Sequence, residues 1–98
     1  MFLKIHQTYR DVVAVCDVDL IGKTFEEDKF QLDVKENFFR GEEVSEEKLI
    51  PILQDFLRED ANFNIIGEKS INSALKAGVI SEEGINKIQN IPFALILM

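Results

Sequence analysis

The chain holds one thiol and one imidazole, Cys16 and His6. A Cys–His dyad needs the two side chains within hydrogen-bond reach. Both lie in a run that reads as a β-hairpin, with Phe2–Gln7 turning through Thr8-Tyr9-Arg10 into Asp11–Asp17. In that hairpin Leu3 faces Val15 and Ile5 faces Val13. His6 then lies beside the turn and Cys16 at the open end, roughly 13 Å apart along a strand. The dyad fails on geometry. Cys16 is expected to be a buried small hydrophobe and His6 an exposed strand residue. One Cys and one His also argue against a closed zinc site within a single chain.

Three further patterns touch on anion or cation chemistry. Gly22-Lys23-Thr24 has the end of a phosphate-binding loop, but Asp17 stands where that loop needs its first glycine. A carboxylate there repels phosphate, and a plain turn into a strand is the better reading. Asp17, Asp19, Gly22 and Asp28 fit four positions of a calcium loop, yet Ile21 occupies a ligand position and a strand precedes the loop instead of a helix. Solvated turn carboxylates are favoured. The third pattern, Ile65-Ile66-Gly67-Glu68-Lys69-Ser70-Ile71, places a glycine between a strand and a helix. Backbone N–H groups at a positive helix end make a generic anion site, with Gly67, Lys69 and Ser70 as its residues. The run also loosely echoes the loop of KH-type RNA-binding domains, with Ser70 replacing the second glycine and Glu68 opposing phosphate. A tight turn requiring Gly67 is the stronger reading.

The elements that position these residues follow from periodicity. Residues 18–28 form a connection with a short strand near Thr24–Phe25. Lys29–Glu36 alternates Phe30, Leu32 and Val34 with Gln31, Asp33 and Lys35, the period of a half-buried strand. Gly41 sits in the following turn. Ser45 opens the main helix, with Glu46 and Glu47 in its first turn and Val44 and Leu49 as a hydrophobic staple. Leu49, Ile52, Leu53, Phe56 and Leu57 form its core-facing stripe. Pro51 predicts a bend, or a start later than Ser45. Phe63–Ile66 reads as a strand and Glu68–Ala77 as a second helix stopped by Gly78. Ser81–Gly84 is a turn, and Ile85–Ile91 and Phe93–Met98 read as strands hinged at Pro92. The expected architecture is one α+β domain over residues 1–98, mostly antiparallel sheet with two helices, in the order β-β-β-α-β-α-β-β.

Bulk properties bound the function. Ninety-eight residues, 46% apolar and 30% charged, suffice for one core without metal or disulfide. A lone cysteine fits a reducing compartment, and no apolar run reaches the length of a membrane span, so a cytoplasmic, unanchored protein is expected. The net charge of −7 resides in residues 25–60, which carry 5 basic and 12 acidic side chains, while both flanking segments are neutral. That face repels a polyanion at long range.

With VVAVCDVDLIGKTFEE, NIIGEKSINSALKAGVI and a final apolar segment introduced by Ile91-Pro92, the chain resembles an archaeal family known as domain of unknown function 424. The likeness spans most of the chain. It implies a small archaeal cytoplasmic protein and supplies no activity, so no catalytic residue is carried over.

The residues therefore predict no catalytic constellation, no metal site and no cofactor. Phe93–Met98 is apolar on both faces, with Phe93, Leu95 and Leu97 alternating with Ala94, Ile96 and Met98. Such a strand is either enclosed or part of an interface, a homodimer or a contact with another protein. The expectation is a binding or accessory module working through protein–protein contact. Glu42, Glu43, Glu46 and Glu47 are its charged contact, and Phe93, Leu95 and Leu97 its apolar one. The alternative is an RNA-associated module that touches phosphate through the Gly67 turn.

Overall fold

Leu3 and Ile5 on one strand against Val13 and Val15 on the next produce the first hairpin, and the rest of the sheet is built on it. The computed structural model describes residues Met1–Met98. Its elements are β1 (Phe2–His6), β2 (Val12–Cys16), a 3-10 turn (Val18–Leu20), β3 (Thr24–Glu27), β4 (Phe30–Asp33), α1 (Glu36–Phe39) and β5 (Glu42–Glu43). There follow α2 (Glu46–Arg58), β6 (Asn62–Ile66), α3 (Glu68–Ala77), a second 3-10 turn (Glu82–Gly84), β7 (Asn86–Ile88) and β8 (Ile91–Ile96). The fold is α+β. Leu3 pairs with Val15 and Ile5 with Val13, the register that buries one face of the hairpin.

The main sheet has the order β5-β1-β2-β6-β8-β7, and a two-stranded ribbon of β3 and β4 stands apart from it. β2 and β6 run parallel, while the other paired strands are antiparallel. A parallel neighbour requires a long crossover, and residues 17–61, from the first 3-10 turn through the ribbon to α2, supply it. The sheet is covered on both faces. On one, Val13, Val15, Phe63, Ile65 and Ala94 pack with Leu49, Leu53, Ile71 and Ala74 of α2 and α3. On the other, Phe2, Ala14, Cys16 and Ile66 pack with Val34, Phe39 and the inner side of the ribbon. Three layers result, and β2 is buried from Val13 to Cys16 because it lies between them.

Four expectations change. The strand expected at Lys29–Glu36 ends at Asp33, and Glu36–Phe39 turns into α1. Its alternation packs onto the face of the sheet without joining it, so Val34 is buried while Phe30 at the ribbon tip is exposed. Of the two outcomes expected of Pro51, a bend or a later start, the later start does not occur, and α2 begins at Glu46. The Lys48 N–H donates to Ser45 Oγ at 3.3 Å, and Val44 and Leu49 are both buried, which anchors the first turn ahead of Pro51. The C-terminal hinge lies at Gln89-Asn90, both at positive φ (50° and 64°), and not at Pro92. That is the two-residue turn whose twist matches a hairpin. Pro92 is accommodated inside β8 because its nitrogen faces Gly67. The Gly67 carbonyl already accepts from Ile71 N–H, and the Gly67 N–H donates to the Pro92 carbonyl, both at 2.8 Å. His6 is half-buried and stacked on Phe38 at 4.4 Å, its Nε2 2.8 Å from the Phe38 carbonyl oxygen.

Candidate functional site

Asp17 ends β2 and turns inward onto the start of α3. Its carboxylate accepts from Ser70 N–H at 2.8 Å, Ser70 Oγ–H at 2.7 Å and Lys69 N–H at 3.1 Å. Gly67 has φ 111° and ψ 155°, a region open essentially to glycine alone, and a Cβ there would lie 2.6 Å from the Asp17 carboxylate oxygens. The backbone donors that the sequence offers to a phosphate are therefore occupied by a carboxylate of the same chain. Lys69 remains as a positive charge beside Asp17, Asp19 and Glu43 in a shallow cleft. The carboxylates of the calcium-like pattern do not converge, because Asp17 is spent on α3, and no group of three ligand-type side chains stands ready for a metal.

The four glutamates divide. Glu42 pairs with Lys48 at 3.0 Å, and Glu46 accepts from Lys76 Nζ and from Ser73 Oγ–H, each at 2.8 Å. Lys76, then Ser73, holds the Glu46 carboxyl below the usual carboxylate range. Glu43 and Glu47 are exposed. His6 and Cys16 are held apart by the hairpin register, His6 opposite Val12 and Cys16 opposite Phe2. Burial, then the charge of Asp17, pushes the Cys16 thiol up to about 11. A thiol in that state is a poor nucleophile.

The C-terminal strand provides the other surface. β8 lies between β6 and β7 in the sheet, but β7 reaches only to Phe93, opposite Asn86. The bond from Gly67 N–H to the Pro92 carbonyl sets the phase of the β6–β8 ladder. Backbone groups of Pro92, Ala94 and Ile96 point to β6, and those of Ile91, Phe93 and Leu95 point the other way. The Leu95 N–H and C=O thus point past the end of β7, where no strand stands, and Leu97 continues in the same phase. Met98 N–H turns back to Asn62 Oδ1 at 2.8 Å. Leu95 is 53% exposed, Leu97 71% and Met98 49%. Beside them Phe30, 70% exposed, and Phe93 line a cleft of about 480 Å³ with Glu27, Asp28, Asn86, Lys87 and Ile88.

The open stretch itself, Leu95–Met98, carries no acid, base or nucleophile, while Glu27, Asp28 and Lys87 line the cleft beside it. The stretch offers main-chain donors and acceptors with alternate apolar side chains, which is what an extended segment needs to add a strand to a sheet. Of the residues expected at an apolar contact, Phe93 and Leu95 share one face of β8 and Leu97 follows just past its end, and Phe30 lines a cleft with Phe93. The signal for Phe30 was the Asp28-Lys29 turn beside it, with Asp28 at φ 54°, which puts Phe30 at a ribbon tip.

A search of curated protein sequences returns no match. Among solved structures, the chain is similar to a protein described as "an uncharacterized conserved protein from Methanopyrus kandleri", with a TM-score of 0.86 and 24% identity over 97% of this chain and 88% of that one. That likeness shows the fold. The model of a family described as "Protein of unknown function (DUF424)" matches residues 5–98, and the chain belongs to that family.

Proposed function

We propose that this chain is a non-catalytic binding module of an archaeal cytoplasm that acts through protein–protein contact. One observation carries the reading. The sheet stops short along Leu95–Met98, leaving unpaired backbone groups and exposed leucines on the same stretch. An uncovered apolar edge promotes association unless a partner covers it. The archaeal setting rests on the Methanopyrus kandleri fold neighbour, and the reducing compartment on a free, buried Cys16. A phosphate-binding role has less support, since Asp17 already holds the donors at the Gly67 turn.

The test compares the tagged wild-type chain with a Leu95→Glu/Leu97→Glu variant as bait in archaeal extract. The reading expects a protein, the chain itself included, that the wild type retains and the variant loses. Identical sets retained by both baits contradict it. So does retention of RNA that weakens steeply with added salt, the mark of phosphate contacts.

A further inference from the structure

Resting on that reading, we infer that the segment completing the sheet is β8 of a second copy, paired antiparallel across a twofold axis at Ile96. The argument begins with register. The open positions run from Leu95 of β8 to Met98 just beyond its end, because Asn86 of β7 occupies the outer side of Phe93 and the extended Ile85 before it lies beside Ala94. A twofold at Ile96 sets 94 opposite 98, 95 opposite 97 and 96 opposite 96. Leu95, Ile96 and Leu97 are then all paired and none reaches β7, with the 94–98 positions at the margin beside Ile85. Sliding the axis to Leu95 drives Met98 against Pro92 of the partner, where β7 already lies, and sliding it the other way loses pairs.

Hydrogen-bond phase agrees with this register. Leu95 and Leu97 carry the outward N–H and C=O groups, so Leu95 and the partner's Leu97 exchange both bonds, and the symmetric pair does the same. Ile96 meets its counterpart as a non-hydrogen-bonded pair with close side chains. On the ribbon side of the sheet, Leu95 and Leu97 of both copies merge into one leucine cluster, removing the exposed apolar surface from water.

Charge permits a second copy at this edge. Two chains at −7 repel unless they meet where neither is charged. The stretch 94–98 has no ionisable side chain, and residues 61–98 balance three lysines against three glutamates. The acidic edge strand β5, Glu42–Glu43, stands at the opposite border of the sheet with β1, β2 and β6 between. The contact is self-complementary in hydrogen-bond phase and apolar from both sides, as an isologous dimer requires.

The experiment is sedimentation equilibrium of the full chain from low to high micromolar concentration. It is run with Leu97→Pro, which removes an outward donor without touching the β6–β8 ladder, and with Glu43→Lys as a distant control. The wild type and the control are expected to form two-chain particles, and Leu97→Pro to weaken association by about tenfold or more. Independently, Ile96→Cys is expected to oxidise to a covalent dimer, since the cysteines would face each other on the axis. A wild type that stays monomeric throughout, or a dimer indifferent to Leu97→Pro, overturns the inference. If the wild type is monomeric and the extract still yields a Leu95- and Leu97-dependent partner, the second copy is wrong and the broader reading stands. If no such partner appears either, both fall.

Discussion

Asp17, Gly67 and Ser70 form a junction between the end of β2 and the start of α3, 50 or more residues apart in sequence. The carboxylate serves α3 as a capping side chain would, but from a distant strand, because Gly67 has no side chain of its own to do it. Asp17→Ala leaves buried N–H groups without partners and is expected to lower unfolding free energy by about 2 kcal/mol, measured by urea titration. Combined with Ser70→Ala the loss should be less than additive, since the two share one bond network. Gly67→Ala meets both the backbone barrier and the Asp17 oxygens, and should destabilise by about 3 kcal/mol. Cys16 predicts a pH effect. Its folded thiol titrates near 11 against an ordinary 9.0, so the folded chain holds the proton more tightly. The stability this gives is complete below pH 9 and is lost as pH rises from 9 to about 11. Denaturation midpoints of wild type and Cys16→Ala should therefore converge or cross in that window, and a constant difference would refute the assignment. Of this junction the sequence shows the turn glycine, Gly67, but not Asp17 as its partner, because the partner of the helix start is set by the parallel pairing of β2 with β6, which no local pattern encodes.

At the scale of elements, local signals read well where the chain's own neighbours decide the outcome. Glu68–Ala77 with its Gly78 stop at φ 78° and the Ser45 cap with its Val44–Leu49 staple all form as their residues require. Alternation in Phe30–Val34 reported two differing faces but not which sheet they serve, and the strand became half of a covering ribbon. Phe38 and Phe39 of α1 were unread because a four-residue helix has no periodicity to show; its place is fixed by His6 stacking and by burial of Phe39. Pro51 stands at the sixth position of α2, on an exposed face, and deprives the Glu47 carbonyl of its helical donor. Pro51→Ala restores that donor and is expected to raise stability by about 1–3 kcal/mol, read as an increase in Tm. A decrease would mean that the rigid proline limits the unfolded chain more than it disturbs the helix.

For the whole molecule, the apolar tail was legible as a problem but not as a solution. Sequence allowed Phe93–Met98 to be an enclosed strand or an interface strand, and the structure encloses only its first half. Phe93 is flanked by β6 and β7, Ala94 is buried against the helices, and Leu95 onward is flanked on one side alone. The difference arises from β7 being three residues long, a length set by the second 3-10 turn at Glu82–Gly84. The sheet thus presents an acidic, two-residue strand at one border and, near the other, an opening whose own residues carry no ionisable side chain.

Amide hydrogen exchange followed residue by residue along β8 tests most directly whether that opening is a contact surface. Leu95 and Leu97 N–H have no acceptor within the chain, whereas Ala94 and Ile96 are bonded to β6. In dilute solution Leu95 and Leu97 should exchange rapidly beside protected Ala94 and Ile96. With rising concentration they should become as protected as their neighbours. Rapid exchange at Leu95 and Leu97 at every concentration, and equally in the presence of cell extract, would contradict the claim that this edge is where the molecule binds.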